Sequence, residues 1–175
     1  MKRYVGLDLS TKTGLVILDE NAKVVVEEEI EIKNTDDPER MNLIWERIKN
    51  HINLKTDTIT IEGFSFGSKG QGTDFQYGIG WIVRLMLHLE NKQYIDVPPT
   101  VLKKFISGKG NAAKDALILP LYKKWGYEHS SDNVRDAYGL ARIGYSIDHI
   151  DELNMLEKGV INDLLKPKKT VRKKK

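Results

Sequence analysis

The chain of 175 residues contains no cysteine, only five prolines and no long apolar run. The absence of cysteine excludes disulfide bonds and cysteine-ligated zinc sites. An apolar run long enough to cross a bilayer is missing, so we expect no membrane-spanning helix. Asp8 interrupts the first apolar stretch, so the N-terminus does not have the pattern of a signal peptide. These absences predict a cytoplasmic protein that does not associate with membranes.

Charge is distributed unevenly along the chain. The net charge is +3, but the last ten residues carry seven positive charges, which leaves the first 165 residues at −4. An acidic body with a basic tail is common among nucleic-acid-binding proteins, and a solvated tail that only aids solubility fits equally well. We predict one folded domain over residues 1–165 and a basic, disordered tail over residues 166–175.

Hydrophobic patterning predicts an α/β fold. Three strands joined by short polar turns are expected to form an antiparallel meander, and β-α-β units follow. The predicted strands are 4–9, 13–18, 23–32, a fourth that begins at Asp57, ends at Glu62 and runs into a glycine-rich loop, and 93–97. The predicted helices are 36–52 with Asp37 as cap, 74–91, 99–106, 112–125 with a kink at Pro120, and 132–150. This order predicts a mixed five-stranded sheet flanked by helices, the outline of a ribonuclease-H-like fold.

Acidic residues from distant parts of the chain are the main functional signal. Asp8 lies in a strand that should be buried, where a carboxylate is costly unless it is paired. Glu62 ends the fourth strand, which the crossover connection can place beside the first. Two carboxylates so close would repel each other, and a divalent cation between them would remove that conflict.

Asp132 and Asp136 are four residues apart and therefore share one face of a late helix. Each acid alone is more often structural, and Asp132 in particular could cap its helix. Together, however, Asp8, Glu62, Asp132 and Asp136 form an all-oxygen set that suits Mg²⁺ or Mn²⁺. Two such ions, about 3.5–4 Å apart, would activate water and stabilise the leaving oxygen of a phosphodiester.

Lysines and aromatics near these acids suggest contacts with nucleic acid. Lys103, Lys104, Lys109 and Lys114 surround the glycine loop SGKGN, which a phosphate could approach closely. A solvated lysine-rich face is the alternative. Phe64 and Phe66 follow Glu62 and could stack on bases or belong to the core, and Lys69 could contact the DNA backbone.

Four blocks in order carry a family resemblance: GLDLSTKTGLVIL, IEGFSFGSKGQGTDFQYGIGWIV, VPPTVLKKFISGKGNAAKDAL and SDNVRDAYGLA. At these residues the chain resembles the RuvC-like Holliday junction resolvases, most closely those of bacteriophages. The first block also resembles the phosphate loop of actin-like ATPases, whose duplicated lobes need a longer chain.

The resemblance implies a homodimer that binds four-way DNA junctions and nicks two opposed strands with Mg²⁺, in a bacterial or phage-infected cell. It implies 5′-phosphate and 3′-hydroxyl products and maps catalytic carboxylates onto Asp8, Glu62 and Asp136. The slot three residues before the last acid holds Asn133, with Asp132 one earlier, so either residue can be the fourth ligand. Asp132 is favoured because a carboxylate binds a hard cation better than an amide.

The helix expected at 74–91 has more apolar surface than one core face needs, and a second subunit could cover the excess. The residues concerned are Tyr77, Ile79, Trp81, Ile82 and Leu85. Two other functions remain open on the sequence. One is a non-catalytic DNA-binding protein of the same fold, and the other is a nuclease that acts on flaps, replication forks or RNA.

Overall fold

The computed structural model describes residues 2–64 and 72–167. Phe66, Lys69 and the tail from residue 168 onward lie outside these ranges. Among the described residues, no helix combines the length and the apolar character needed to pass through a bilayer.

A five-stranded sheet with the strand order β3-β2-β1-β4-β5 forms the centre of the molecule. β1, β2 and β3 form an antiparallel meander, whereas β4 and β5 run parallel to β1. The strands are β1 (Tyr4–Asp8), β2 (Thr13–Leu18), β3 (Val24–Ile30), β4 (Thr58–Glu62) and β5 (Tyr94–Val97). The predicted mixed sheet of a ribonuclease-H-like fold is therefore confirmed.

Helices cover both faces of this sheet. They are α1 (Asp37–His51), α2 (Thr73–Leu89), α3 (Pro99–Ser107), α4 (Ile118–Trp125), α5 (Asp132–Asp148) and α6 (Met155–Leu165), with 3₁₀ turns at Lys114–Leu117 and Ile150–Glu152. α1 and α2 pack on one face with the apolar residues of one core. α3, α4, α5 and α6 pack on the other face around a second core.

Three local predictions were wrong or incomplete. The side chain that caps α1 is Asp36, which accepts a hydrogen bond from the Glu39 amide, and not Asp37. Pro120 lies in the first turn of α4 after a 3₁₀ turn, where its missing N–H is not needed, so it does not kink a longer helix. α6 was not predicted, although Asn154 and Glu157 form a capping box at its start.

α5 packs against the sheet through direct contact of main chains. A Cβ atom on Gly6 would lie 1.9 Å from the carbonyl oxygen of Ala137, and one on Gly14 would lie 2.1 Å from that of Asn133. No side chain can fit at either place, because the obstructing atoms belong to the helix backbone. Glycine at these positions therefore sets how closely the first half of α5 approaches β1 and β2.

Candidate active site

Strand alternation brings Asp8 and Glu62 to one face of the sheet. Ile59 and Ile61 of β4 belong to the core on the side of α1 and α2, as does Leu7 of β1. Because successive side chains point to opposite faces, Asp8 and Glu62 face the side of α5. Leu7 pairs with Ile61 across the parallel strands, so the two acids follow at matching positions. Their side chains share a hydrogen bond.

α5 brings Asp136 to the same place. Ser131 caps this helix by accepting a hydrogen bond from the Val134 amide. Asp136 lies on the second turn of the helix, on the side that packs against β1, and only 7% of its surface is exposed. Its charge acts on both Asp8 and Glu62. The structure thus brings together three of the four acids that the sequence singled out.

These three carboxyl groups are hard to ionise together. Burial raises the pKa of Asp8 well above its ordinary range, and the charges of Glu62 and Asp136 raise it further. Burial also raises the pKa of Glu62 to about 7, with the charge of Asp136 adding to the effect. The pKa of Asp136 is raised by burial, although Lys114 opposes this. Without a compensating cation, protons are therefore retained at this site.

Asp132 has a different environment from the other three acids. Its carboxylate accepts a hydrogen bond from Lys114 Nζ at 2.6 Å, and its side chain is 42% exposed. This hydrogen bond lowers the pKa of Asp132, so the group is ionised at neutral pH. Ser131 and not Asp132 is the helix cap, which removes the structural role that the sequence left open for Asp132.

The donor set fits a hard divalent cation, because it consists of carboxylates that repel one another in a buried place. The side chains nevertheless do not form a finished cation cage. Within residues 2–64 and 72–167, no three His, Asp or Glu side chains converge closely enough to hold an ion. Asp8, Glu62 and Asp136, with Asp132 if it takes part, are the residues that would hold such an ion.

The predicted DNA-binding lysines separate into groups. Lys103 and Lys114 lie close enough to the acids for their charges to lower the pKa of both Glu62 and Asp136. Lys104 acts instead on Asp163 of α6. Lys109 is exposed in the glycine loop, which Ser107 closes through hydrogen bonds to its main chain. Two of the four lysines therefore stand beside the candidate site.

Phe64 lies two residues beyond Glu62 and packs on the α2 side of the sheet. Its ring centroid is 5.3 Å from that of Tyr77 and 5.1 Å from that of Trp81. The guanidinium of Arg84 lies 4.4 Å from the Phe64 ring centroid. These contacts hold Phe64 in an aromatic cluster, and its predicted stacking on DNA bases stays a prediction.

Arg84 is the residue near the site that sequence reasoning missed. It is 5% exposed and donates hydrogen bonds to the carbonyl oxygen of Glu62 at 2.9 Å and to Asp96 at 2.6 Å. A signal was available in the sequence, because Arg84 stands next to Val83 and three residues before Leu87, within the apolar side of α2. A charged residue in that position requires buried partners.

The fold defined by this sheet and its flanking helices is the RuvC-like variant of the ribonuclease-H-like fold. Two solved structures carry this assignment. The Thermus thermophilus RuvC structure is 15% identical, with a TM-score of 0.64, and the match covers 84% of this chain and 96% of that chain. The structure of T. thermophilus RuvC in complex with Holliday junction substrate is 17% identical, with a TM-score of 0.68, and the match covers 90% and 96%. Neither the protein-family models nor the curated proteins give a match to this chain.

Proposed function

We propose that this chain is an endonuclease that uses divalent cations to cut branched DNA, with four-way junctions as its first substrate. The observation that carries the proposal is the buried Asp8–Glu62 pair, which shares a hydrogen bond while Asp136 faces it from α5. An arrangement that costs stability and retains protons is typical of functional sites. The motif resemblance to bacteriophage resolvases and the fold support junction DNA as the substrate.

We assign Asp8, Glu62, Asp136 and Asp132 as the residues that would hold Mg²⁺ or Mn²⁺, with two ions per site. Such ions, when bound, supply Lewis-acid chemistry and make water a stronger nucleophile at neutral pH. Hydrolysis adds water across the P–O3′ bond, leaving a 5′-phosphate on one strand end and a 3′-hydroxyl on the other. Asp8 and Glu62 must first lose their retained protons, so cation binding releases protons to solvent.

Lys103 and Lys114 would place the scissile phosphate at the acids. Both ammonium groups act electrostatically on Glu62 and Asp136, so a phosphate that they bound would lie beside the carboxylates. In the absence of DNA, Lys114 forms an ion pair with Asp132 at 2.6 Å. A phosphate that bound Lys114 would compete with Asp132 for this ammonium group, so the ion pair would open. The freed Asp132 would then be available to a cation.

We propose a homodimer that uses the exposed side of α2. Trp81, Leu85 and Leu89 are four residues apart and form one stripe along that helix, with 62%, 54% and 65% of their surfaces exposed. Trp81 and Leu85 of this stripe line a groove of about 680 Å³, together with Tyr94 and Arg84. A second copy of this stripe would cover the apolar surface, and a two-fold dimer suits a junction with two opposed strands to cut.

A DNA-binding protein of the same fold without catalysis is the second candidate. One observation favours it: among the described residues, no three acidic or histidine side chains already converge as cation ligands. Such a protein would use Lys103 and Lys114 to bind DNA and would retain its acids without cutting. Flaps, replication forks and RNA are the alternative substrates for the nuclease.

The deciding experiment is digestion of labelled four-way, three-way, flap and duplex DNA and of an RNA junction, with Mg²⁺ or Mn²⁺. We expect the wild type to cut the four-way junction and Asp8→Asn to bind it without cutting it. Asp163→Asn is the matched control, because Asp163 is an exposed acid on α6 with an ion pair to Lys166. Binding of junctions by the wild type with no cleavage under any of these conditions would favour the non-catalytic candidate.

A further inference from the structure

Arg84 is a buried cation that no part of the proposed cation or DNA site accounts for. It projects from α2 toward the ends of β4 and β5, with 5% of its surface exposed. A buried charge is expensive unless its hydrogen bonds are met, so the partners of this guanidinium indicate what it is for.

The partners of Arg84 join α2 to the adjacent ends of β4 and β5. Its Nη2 atom donates to the carbonyl oxygen of Glu62 at 2.9 Å and to Asp96 Oδ1 at 2.6 Å, while Nη1 donates to the Gly80 carbonyl oxygen at 3.0 Å. The planar fork of arginine can meet these demands together, whereas the single ammonium of lysine cannot reproduce its geometry. The hydrogen bond from Arg84 thereby fixes the main chain of Glu62 from the α2 side of the sheet.

The same guanidinium fixes the residue two positions later. Phe64 lies over it at 4.4 Å, and the ring is placed there because Gly80 has no side chain. A Cβ on Gly80 would lie 2.5 Å from Phe64 Cε1 and 2.9 Å from Cζ. Between the two fixed residues, the Gly63 amide donates to the Val97 carbonyl oxygen at 2.7 Å. Each of three consecutive residues, Glu62, Gly63 and Phe64, is therefore fixed by a contact of its own.

We propose that Arg84 is a positioning residue for the reaction, which orients the Glu62 carboxylate toward Asp8 by holding the Glu62 main chain. This inference rests on the proposed function, since it concerns the same site. Arg84 touches neither the acids' carboxyl groups nor any surface assigned to DNA. It acts through the backbone of β4 from the opposite side of the sheet.

A second arginine of the chain provides a matched control, because it too forms a clamp, that is, a side chain that joins a carboxylate to a main-chain oxygen. Arg3 donates to Asp57 at 2.6 Å and to the His51 carbonyl oxygen at 3.1 Å, so it also joins a carboxylate to a main-chain oxygen. It does so at the other end of β1 and β4, where the Thr58 amide donates to the Arg3 carbonyl. Arg3→Met thus removes a similar clamp from the same two strands, far from the acids.

The experiment compares wild type, Arg84→Met, Arg84→Lys and Arg3→Met as full-length proteins. Three quantities are measured: the single-turnover cleavage rate of a four-way junction at saturating protein and Mg²⁺, the junction Kd without divalent cations, and the Mn²⁺ affinity of the DNA-free protein by electron paramagnetic resonance. We expect Arg84→Met to lower the cleavage rate and the Mn²⁺ affinity about 10- to 100-fold. The junction Kd should stay unchanged, and Arg3→Met should lose thermal stability only.

Arg84→Lys keeps a buried positive charge beside Asp96 and serves if Arg84→Met does not fold. We expect the Arg84→Lys protein to fold and to show a lower cleavage rate and a lower Mn²⁺ affinity than the wild type. The inference is overturned if the Arg84 variants that fold keep both quantities at the wild-type level, as Arg3→Met should. If the wild type cuts no DNA but Arg84→Lys weakens Mn²⁺ binding, the proposed function fails and the positioning role stands. If the wild type binds no Mn²⁺, both fail.

Discussion

Asp8 and Glu62 end two adjacent parallel strands and share a hydrogen bond, although both are acids. Two carboxyl groups can share a hydrogen bond only while one of them keeps a proton. The pair is therefore stable in its protonated form and opposes its own ionisation. This relationship makes the stability of the folded state depend on pH.

Without divalent cations, we expect stability to fall as the pH rises through neutrality. Burial raises the pKa of Glu62 from its ordinary value of 4.5 to about 7, so the folded state binds its proton more tightly than the unfolded state does. The tighter binding of this proton stabilises the folded state fully below about pH 4.5, and the stabilisation is lost as the pH rises through about 7. The free energy of unfolding should fall by at most about 3 kcal/mol over this range. Urea unfolding from pH 4.5 to 8 measures it. Glu62→Gln should flatten the dependence, and exposed Glu46→Gln should not; an unchanged profile for Glu62→Gln would contradict this.

Gly6→Ala should prevent α5 from reaching the sheet. The new methyl group would meet the Ala137 carbonyl oxygen, which is main chain and cannot turn aside. We expect a loss of about 3 kcal/mol or more in the free energy of unfolding, beyond the usual cost of overpacking. Gly159→Ala in α6 is the control, because no atom lies within 4 Å of its added Cβ. Helix propensity predicts that this change stabilises by about 0.5–1 kcal/mol, and thermal melts of both variants test the opposite signs.

Asp132→Asn and Asn133→Ala distinguish the two possible fourth ligands. Asp132 is ionised, its side chain is 42% exposed, and its carboxylate is paired with Lys114, so we expect it to reach a cation once Lys114 binds DNA. Asp132→Asn should therefore reduce cleavage about 10- to 100-fold, and Asn133→Ala much less. Cleavage rates at several Mn²⁺ concentrations provide the measurement. A larger loss of cleavage rate in Asn133→Ala than in Asp132→Asn would indicate that the Asn133 amide is the fourth ligand.

Lys103 and Lys114 should each contribute to the salt dependence of DNA binding. Replacing either by alanine removes one phosphate contact and should reduce the slope of log Kd against log salt by about one. Fluorescence anisotropy with a labelled junction, between low and moderate salt, gives the slopes. Lys55→Ala is the control, because Lys55 precedes β4 at the end of the strand away from the acids. Equal slopes for wild type and both variants would remove these lysines from the DNA-binding surface.

Trp81→Glu should convert the proposed dimer into a monomer. A charge at the N-terminal end of the exposed stripe on α2 would be desolvated by a second copy of that stripe. Leu119→Glu is the control, since Leu119 is 57% exposed on α4, away from this helix. Sedimentation velocity at several protein concentrations distinguishes the two states. A wild type that stays monomeric at all of them would show that the apolar stripe has another role.

The sequence predicts the sheet well because its strands are short, largely apolar segments and the turns of the meander are short and polar. The crossover rule also places β4 beside β1, so the meeting of Asp8 and Glu62 follows from the order of elements. The contacts of individual side chains cannot be derived from the order of the elements. Lys114 is read from the sequence as a DNA contact, but its ion pair with Asp132 depends on how a 3₁₀ turn sits against α5.

Arg84 shows a second limit of sequence reasoning. Its partners are two main-chain oxygens and one carboxylate, and main-chain oxygens leave no trace in a sequence. The apolar surroundings of Arg84 on α2 indicate that it is buried, but only the fold identifies β4 as the strand that it holds. For α6 the reason is different, because its capping box is visible in the sequence as Asn154 followed three residues later by Glu157.

The backbone contact at Gly6 and Gly14 has a consequence for how such proteins can diverge. Because the spacing between the sheet and α5 is set by peptide groups, it does not depend on which apolar side chains fill the rest of that layer. Two glycines can thus preserve the placement of Asp136 beside Asp8, provided that neither acquires a side chain.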